Sequence, residues 1–264
     1  MAAFSLARRL RAGETVYSGW TTLASPLLVE AMAREGFAAV NLDSQHGMWD
    51  VASLIAGIGA VRAGGAAPLV RVPLEDFALV SRALDLGAEA IIAPMINNGS
   101  DARRFAAAAK YPPLGERSWG PVRAMMLQGA SAPTDYLRDA NERTLTMAMI
   151  ETPSALNNAA DIAATPGIDC LFIGPYDLAT SLSAGKAQDI TAPEVERAID
   201  EICAAAKKAG KIPGIYCRDP ARALQWPSAA SVSLRWRAIS TSCARARLRS
   251  SRRSRPDRYF MVTW

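Results

Sequence analysis

The chain has one histidine in 264 residues, His46, and four cysteines, Cys170, Cys203, Cys217 and Cys243, none of them spaced as C-x-x-C. A structural zinc site or a disulfide framework needs more such ligands at closer spacing, so this scarcity argues against both and suits a reducing, cytoplasmic setting. No apolar run reaches the roughly 18–20 residues that span a bilayer. The opening stretch, MAAFSLARRLRAGE, lacks the long apolar core of a signal peptide and reads as a short amphipathic helix.

Residues 227–264 lack lysine and glycine altogether. They hold nine arginines against one acidic residue, Asp257, a balance of +8; the other 226 residues hold 21 basic and 24 acidic side chains, a balance of −3. The net charge of +5 therefore belongs to the tail. The body has the mildly acidic balance of an ordinary enzyme and gives no ground for a nucleic-acid partner.

What the body does have is a repeat of apolar runs, each ending in polar, Gly or Pro residues. They lie at 16–20, 37–43, 67–73, 89–94, 145–151, 169–175 and 212–217. They are continuous rather than alternating, as expected of parallel strands buried on both faces. Between them stand helical stretches such as SPLLVEAMAREG, DFALVSRALDLG and APEVERAIDEICAAAKKAG. Each ends in a Gly before the next strand, a common helix stop. Seven strand–helix units in series point to an α/β fold, a (β/α)8 barrel incomplete at its eighth unit, with a doubly wound open sheet as the rival.

Chemistry favours the barrel. Asp43 and His46 follow strand 2, Arg71 ends strand 3, Glu151 ends strand 5 and Asp177 follows strand 6. In a barrel these converge on one mouth; in an open sheet the outer strands are too far apart. Glu151 and Asp177, with waters and an oxygen ligand, suit an octahedral Mg2+ or Mn2+ site. Their structural alternative is helix capping, at TPSAL and LATSL. Arg71 sits inside an apolar strand and needs an anionic partner, a ligand or a structural carboxylate. His46 is a candidate acid–base, since imidazole titrates near neutrality, with Asp43 as the acid that could hold its tautomer.

The stretches LDSQHG (42–47), VRVP (70–73), LDLGAEAIIAPMINN (84–98), YPPLGERSWGP (111–121), MIETPSALNN (149–158), GIDCLFIGPYDLATSLS (167–183) and GKIPGIYCRDP (210–220) resemble, in order and spacing, the HpcH/HpaI aldolase family of metal-dependent class II pyruvate aldolases. The resemblance covers residues 4 to 226 and implies a (β/α)8 barrel. It implies reversible retro-aldol cleavage of a 4-hydroxy-2-oxo acid to pyruvate and an aldehyde through a metal-bound pyruvate enolate. Glu151 and Asp177 would hold Mg2+, Mn2+ or Co2+. Arg71 would stabilise the enolate oxygen, and His46 with Asp43 would move protons. Gln45 and the Gly174, Pro175, Tyr176 and Asp177 turn would meet substrate, and Arg117 would lie in a loop near the mouth. The expected partners are small 2-oxo acids and aldehydes, with no membrane partner, in a homo-oligomer (hexamer) that the departing C-terminus works against. Two departures stand out: Gln45 where the family often has Glu, and Met149 where it often has Gln.

After Trp226 the pattern stops. Residues 1–226 read as the barrel domain and 227–264 as an anomalous Ser/Arg-rich tail, out of frame and poorly ordered. Restoring one nucleotide after the Trp226 codon permits AERGFRFLAVARDLDFLRAGA, which holds the pieces of a missing eighth unit. Read literally, the tail leaves strands 1 and 7 with unpaired edges and predicts an inactive chain. Two other functions compete: a citrate-lyase-β-like acyl-CoA lyase, and a non-catalytic protein binding polyanions through the Arg-rich tail.

Overall fold

The computed structural model describes residues 6–219, 222–223 and 260–262. Eight parallel strands close a barrel in chain order: β1 (Val16–Thr21), β2 (Ala39–Asp43), β3 (Ala67–Arg71), β4 (Ala90–Ala93), β5 (Leu145–Ile150), β6 (Cys170–Ile173), β7 (Ile212–Tyr216) and β8 (Phe260–Val262). The seven expected apolar runs are the first seven strands. Their continuous apolar character is explained by burial on both faces. Residues at alternate positions, such as Leu69, Ile92, Met147 and Phe172, fill the barrel, while Val40, Val70, Ile91 and Leu171 pack against the outer helices.

Local signals set the helix limits. Ser25 caps Pro26–Arg34 by accepting from the Leu28 amide, and Asp76 caps Phe77–Leu86, which stops at Gly87 with φ 108. The left-handed conformation at Gly87 is one a side chain rarely adopts. The amphipathic start forms helix Leu6–Arg11, and its Leu6, Ala7 and Leu10 close the bottom of the barrel. Buried Glu89 holds this plug, accepting from the Leu6 amide at 3.1 Å and from Arg62 at 2.8 Å. The long connection after β4 forms three helices, Gly99–Ala109, Val122–Gln128 and Pro133–Arg143.

The eighth unit corrects one expectation. β8 pairs with both β1 and β7, so those strands do not carry the unpaired edges inferred from the tail. Ladder hydrogen bonds use backbone groups, so three extended residues satisfy the exposed edges without any sequence period. At three residues β8 is the shortest strand of the barrel, and the unit is partial in that sense. Residues 227–259, and with them the expectation of a poorly ordered tail, lie outside the described residues.

Candidate active site

The pairing of β2 with β3 places Asp43 opposite Arg71. Arg71 donates from Nε to Asp43 Oδ1 at 2.9 Å and from Nη2 to Oδ2 at 2.5 Å. The indole N–H of Trp20 adds a bond to Oδ2 at 3.1 Å, and the guanidinium carbon lies 4.7 Å from the Trp20 ring centre. Asp43 Oδ1 also takes the amides of Gln45 and His46, at 3.1 and 3.2 Å. Burial alone would raise the Asp43 pKa; the bonds and charge of Arg71, with the His46 amide and Trp20, outweigh it and hold the carboxyl below its usual range.

This geometry corrects the expected Asp43–His46 pair. Asp43 meets the backbone of His46, not its imidazole, because its side chain is committed to Arg71. The buried Arg71 has the carboxylate partner that its burial demands. Its Nη1 makes no hydrogen bond among the described residues and remains available to a ligand.

His46 sits exposed on the turn after β2. Gly47 makes that turn possible: a Cβ there would lie 2.2 Å from the Asp43 carbonyl oxygen and 2.8 Å from Thr22 Cα. The next residue, Met48, donates its amide to the Thr22 carbonyl at 2.8 Å, tying the turn to the end of β1.

Neither metal candidate caps a helix. Thr152 caps Pro153–Asn157, whereas Glu151 accepts the Met95 amide at 2.8 Å. Asp177 lies in the first turn of helix Pro175–Leu182, whose first turn has no side-chain cap. Glu151 is 2% exposed. Burial, helped by the like charge of Asp177, pushes its pKa up to about 7 against the opposing Met95 amide and Arg71. A buried carboxylate with one hydrogen bond and an acidic neighbour is poorly compensated, and a cation would compensate it. The described residues contain no cluster of three or more His, Cys, Asp or Glu suited to a metal. Two carboxylates nonetheless fit Mg2+ or Mn2+, which complete their oxygen shells with water and substrate.

A cavity of about 330 Å3 opens at the mouth. Asp43, His46, Arg71 and the Gly174 to Asp177 turn line it. Glu151 is not in the wall; it lies directly behind Gly174, where a Cβ would stand 2.4 Å from Glu151 Oε2. Gln45 is not in the wall either. Arg117 is also absent from it: its side chain is buried, paired with Asp85 at 2.5 Å and packed 4.5 Å from the Tyr111 ring centre. The wall residues Trp20, Thr22, Gln188, Tyr216 and Arg218 are not among the candidates drawn from the sequence. Trp20 and Tyr216 occupy strand ends, a position that marks them in any barrel, but charge drew attention to other residues.

A closed parallel barrel that gathers Asp43, His46, Arg71 and Asp177 around one cavity has the architecture of a barrel enzyme. The HpcH/HpaI aldolase/citrate lyase family model matches residues 17–226. A hydroxypyruvate/pyruvate aldolase of Rhizorhabdus wittichii is 40% identical over 205 residues, 78% of this chain and 80% of the relative. A 4-hydroxy-2-oxo-heptane-1,7-dioate aldolase of Salmonella dublin is 34% identical over 218 residues, covering 82% and 81%. A crystal structure of an HpcH/HpaI aldolase/citrate lyase family protein from Burkholderia cenocepacia superposes with TM-score 0.77 at 31% identity, over 98% of this chain and 92% of that one. The chain belongs to the HpcH/HpaI aldolase/citrate lyase family and is an aldolase, a carbon–carbon lyase. None of its described helices is long and apolar enough to cross a membrane.

Proposed function

We propose that this enzyme reversibly cleaves a 4-hydroxy-2-oxo acid to pyruvate and an aldehyde. The observation that carries the reading is Arg71, buried in the barrel mouth and locked by Asp43, with Nη1 left unbonded among the described residues. In cleavage the C4 hydroxyl gives up its proton and the C3–C4 bond breaks. The aldehyde leaves, and the electron pair passes to the C2 oxygen, giving an enolate; C3 then takes a proton to become the pyruvate methyl. Arg71 Nη1 would face the C2 oxygen, and a preorganised cation there lowers the barrier. His46 would move the proton from the C4 hydroxyl, directly or through water. The free amides at the start of helix Pro175–Leu182 suit the substrate carboxylate. Trp20 and Asp43 orient Arg71.

Glu151 and Asp177 would hold a divalent cation (Mg2+, Mn2+ or Co2+), which when bound supplies Lewis-acid stabilisation of negative charge on oxygen. Deuterium exchange into the pyruvate methyl, followed by proton NMR, tests the reading without knowledge of the aldehyde. Exchange that needs Mg2+ or Mn2+ and stops with EDTA is expected. No exchange by the folded, metal-supplied chain overturns the proposal.

We also propose that residues 227–264 are read out of frame. The family match ends at residue 226, where the strand and helix pattern breaks. Sequencing the gene and finding the frame intact would sink this reading.

A further inference from the structure

An aromatic wall crosses the cavity. Trp20 meets Tyr216 edge-on at 4.9 Å, and Tyr216 meets Tyr176 edge-on at 6.1 Å. A guanidinium stands at each end. Arg71 lies over Trp20 at 4.7 Å, and Arg218 lies over Tyr176 at 4.8 Å. The first is neutralised by Asp43. Arg218, two residues beyond β7 and part of the cavity wall, forms no ion pair among the described residues. The other charges in or behind the wall, Glu151 and Asp177, would be matched by a divalent cation. Among the described residues Arg218 is therefore a cation at the mouth with no carboxylate partner, its side chain hydrogen-bonded to Tyr176. The ring of Tyr176 limits where its long side chain can point.

We propose that Arg218 is a specificity-determining residue that selects acceptor aldehydes carrying an anionic group, a carboxylate or a phosphate ester. The inference rests on the aldolase reading above. With the pyruvate half placed by Arg71 and the helix start, the aldehyde half extends along the aromatic wall toward Tyr176. An anion at its far end meets the guanidinium, which binds carboxylate and phosphate oxygens through paired N–H groups.

The test is pyruvate addition by the full chain with Mg2+, using matched acceptors: succinate semialdehyde against butanal, and glyceraldehyde 3-phosphate against glyceraldehyde. The wild-type chain is expected to favour one or both anionic acceptors, and the two pairs separate carboxylate from phosphate. Arg218→Met, which keeps the stem without the charge, is expected to lower the ratio of kcat/KM for anionic over neutral acceptor by about 10- to 100-fold. Arg218→Lys should recover part of it. A second measure needs no variant: the wild-type ratio should fall as salt is added. A wild-type ratio near one, or equal losses on both acceptors in Arg218→Met, overturns the assignment. Pyruvate methyl exchange by the wild-type chain reads the underlying function separately. Exchange without anionic preference removes Arg218 alone; absence of exchange removes both.

Discussion

Asp43 and Arg71 face each other across β2 and β3 and share two hydrogen bonds, at 2.9 and 2.5 Å, in the wall of the cavity. The carboxylate fixes which edge of the guanidinium turns inward and which remains open to substrate. Asp43 is thus a positioning residue for Arg71.

Asp43→Asn keeps the size of the side chain and removes its charge. Breaking one half of a buried pair costs about 3–5 kcal/mol, since the remaining charge is left uncompensated. Urea unfolding should show a loss in that range, and pyruvate exchange should fall at least tenfold. A variant with full stability and full exchange would contradict the positioning role.

His46→Asn separates chemistry from stability. The imidazole is exposed, so the melting temperature should move little. Loss of a positioned acid–base typically costs 10²- to 10⁴-fold in rate, and pyruvate exchange should fall by about that factor. Exchange at the wild-type rate would assign the proton transfer to another group.

Gly174→Ala probes the carboxylate behind the wall. The added methyl would stand 2.4 Å from Glu151 Oε2 and 3.0 Å from Met149 Cε, so Glu151 must shift. Mn2+ affinity, read by calorimetry, should weaken by about tenfold or more, because ligand placement sets metal affinity. Unchanged affinity would mean that Glu151 is not a ligand.

Acid stability follows from two depressed carboxyls. Burial alone would raise Asp169, but Lys110, at 2.7 Å, with the Thr146 amide and Arg11, outweighs it; Asp43 is held low by Arg71 and its neighbours. A carboxyl whose folded pKa lies below its unfolded value of about 4 stabilises fully above that value. The contribution is lost as pH falls through the folded pKa. The melting temperature should therefore stay level from pH 7 to about 5 with respect to these groups and drop below about pH 4. Asp169→Asn should flatten that drop in thermal scans across the range.

Much of the architecture is legible in the chain itself. Continuous runs such as AVNLD and CLFI mark doubly buried strands, and Asp76 with Gly87 mark one helix at both ends. The strand-end positions of Asp43 and Arg71, and of Asp177 just after β6, are legible in the same way, and all three line the cavity. Tyr216, also a strand end, and Arg218 just beyond lie in the wall as well, and only the closed barrel brings them beside Trp20 and Tyr176. The family resemblance implies a place near the mouth for Arg117, yet its side chain is buried against Asp85 and Tyr111.

The sequence by itself determined the order of strands and helices and the positions of Asp43, Arg71 and Glu151 at or beside strand ends, since apolar spacing and caps act over a few residues. The tertiary structure decided how those groups pair. Whether Asp43 serves His46 or Arg71 depends on the β2–β3 register, 28 residues apart in the chain. Whether the tail leaves the barrel open depends on the backbone bonds of Phe260–Val262 to β1 and β7. Both rest on contacts between distant segments, whose geometry exists only once the barrel has closed.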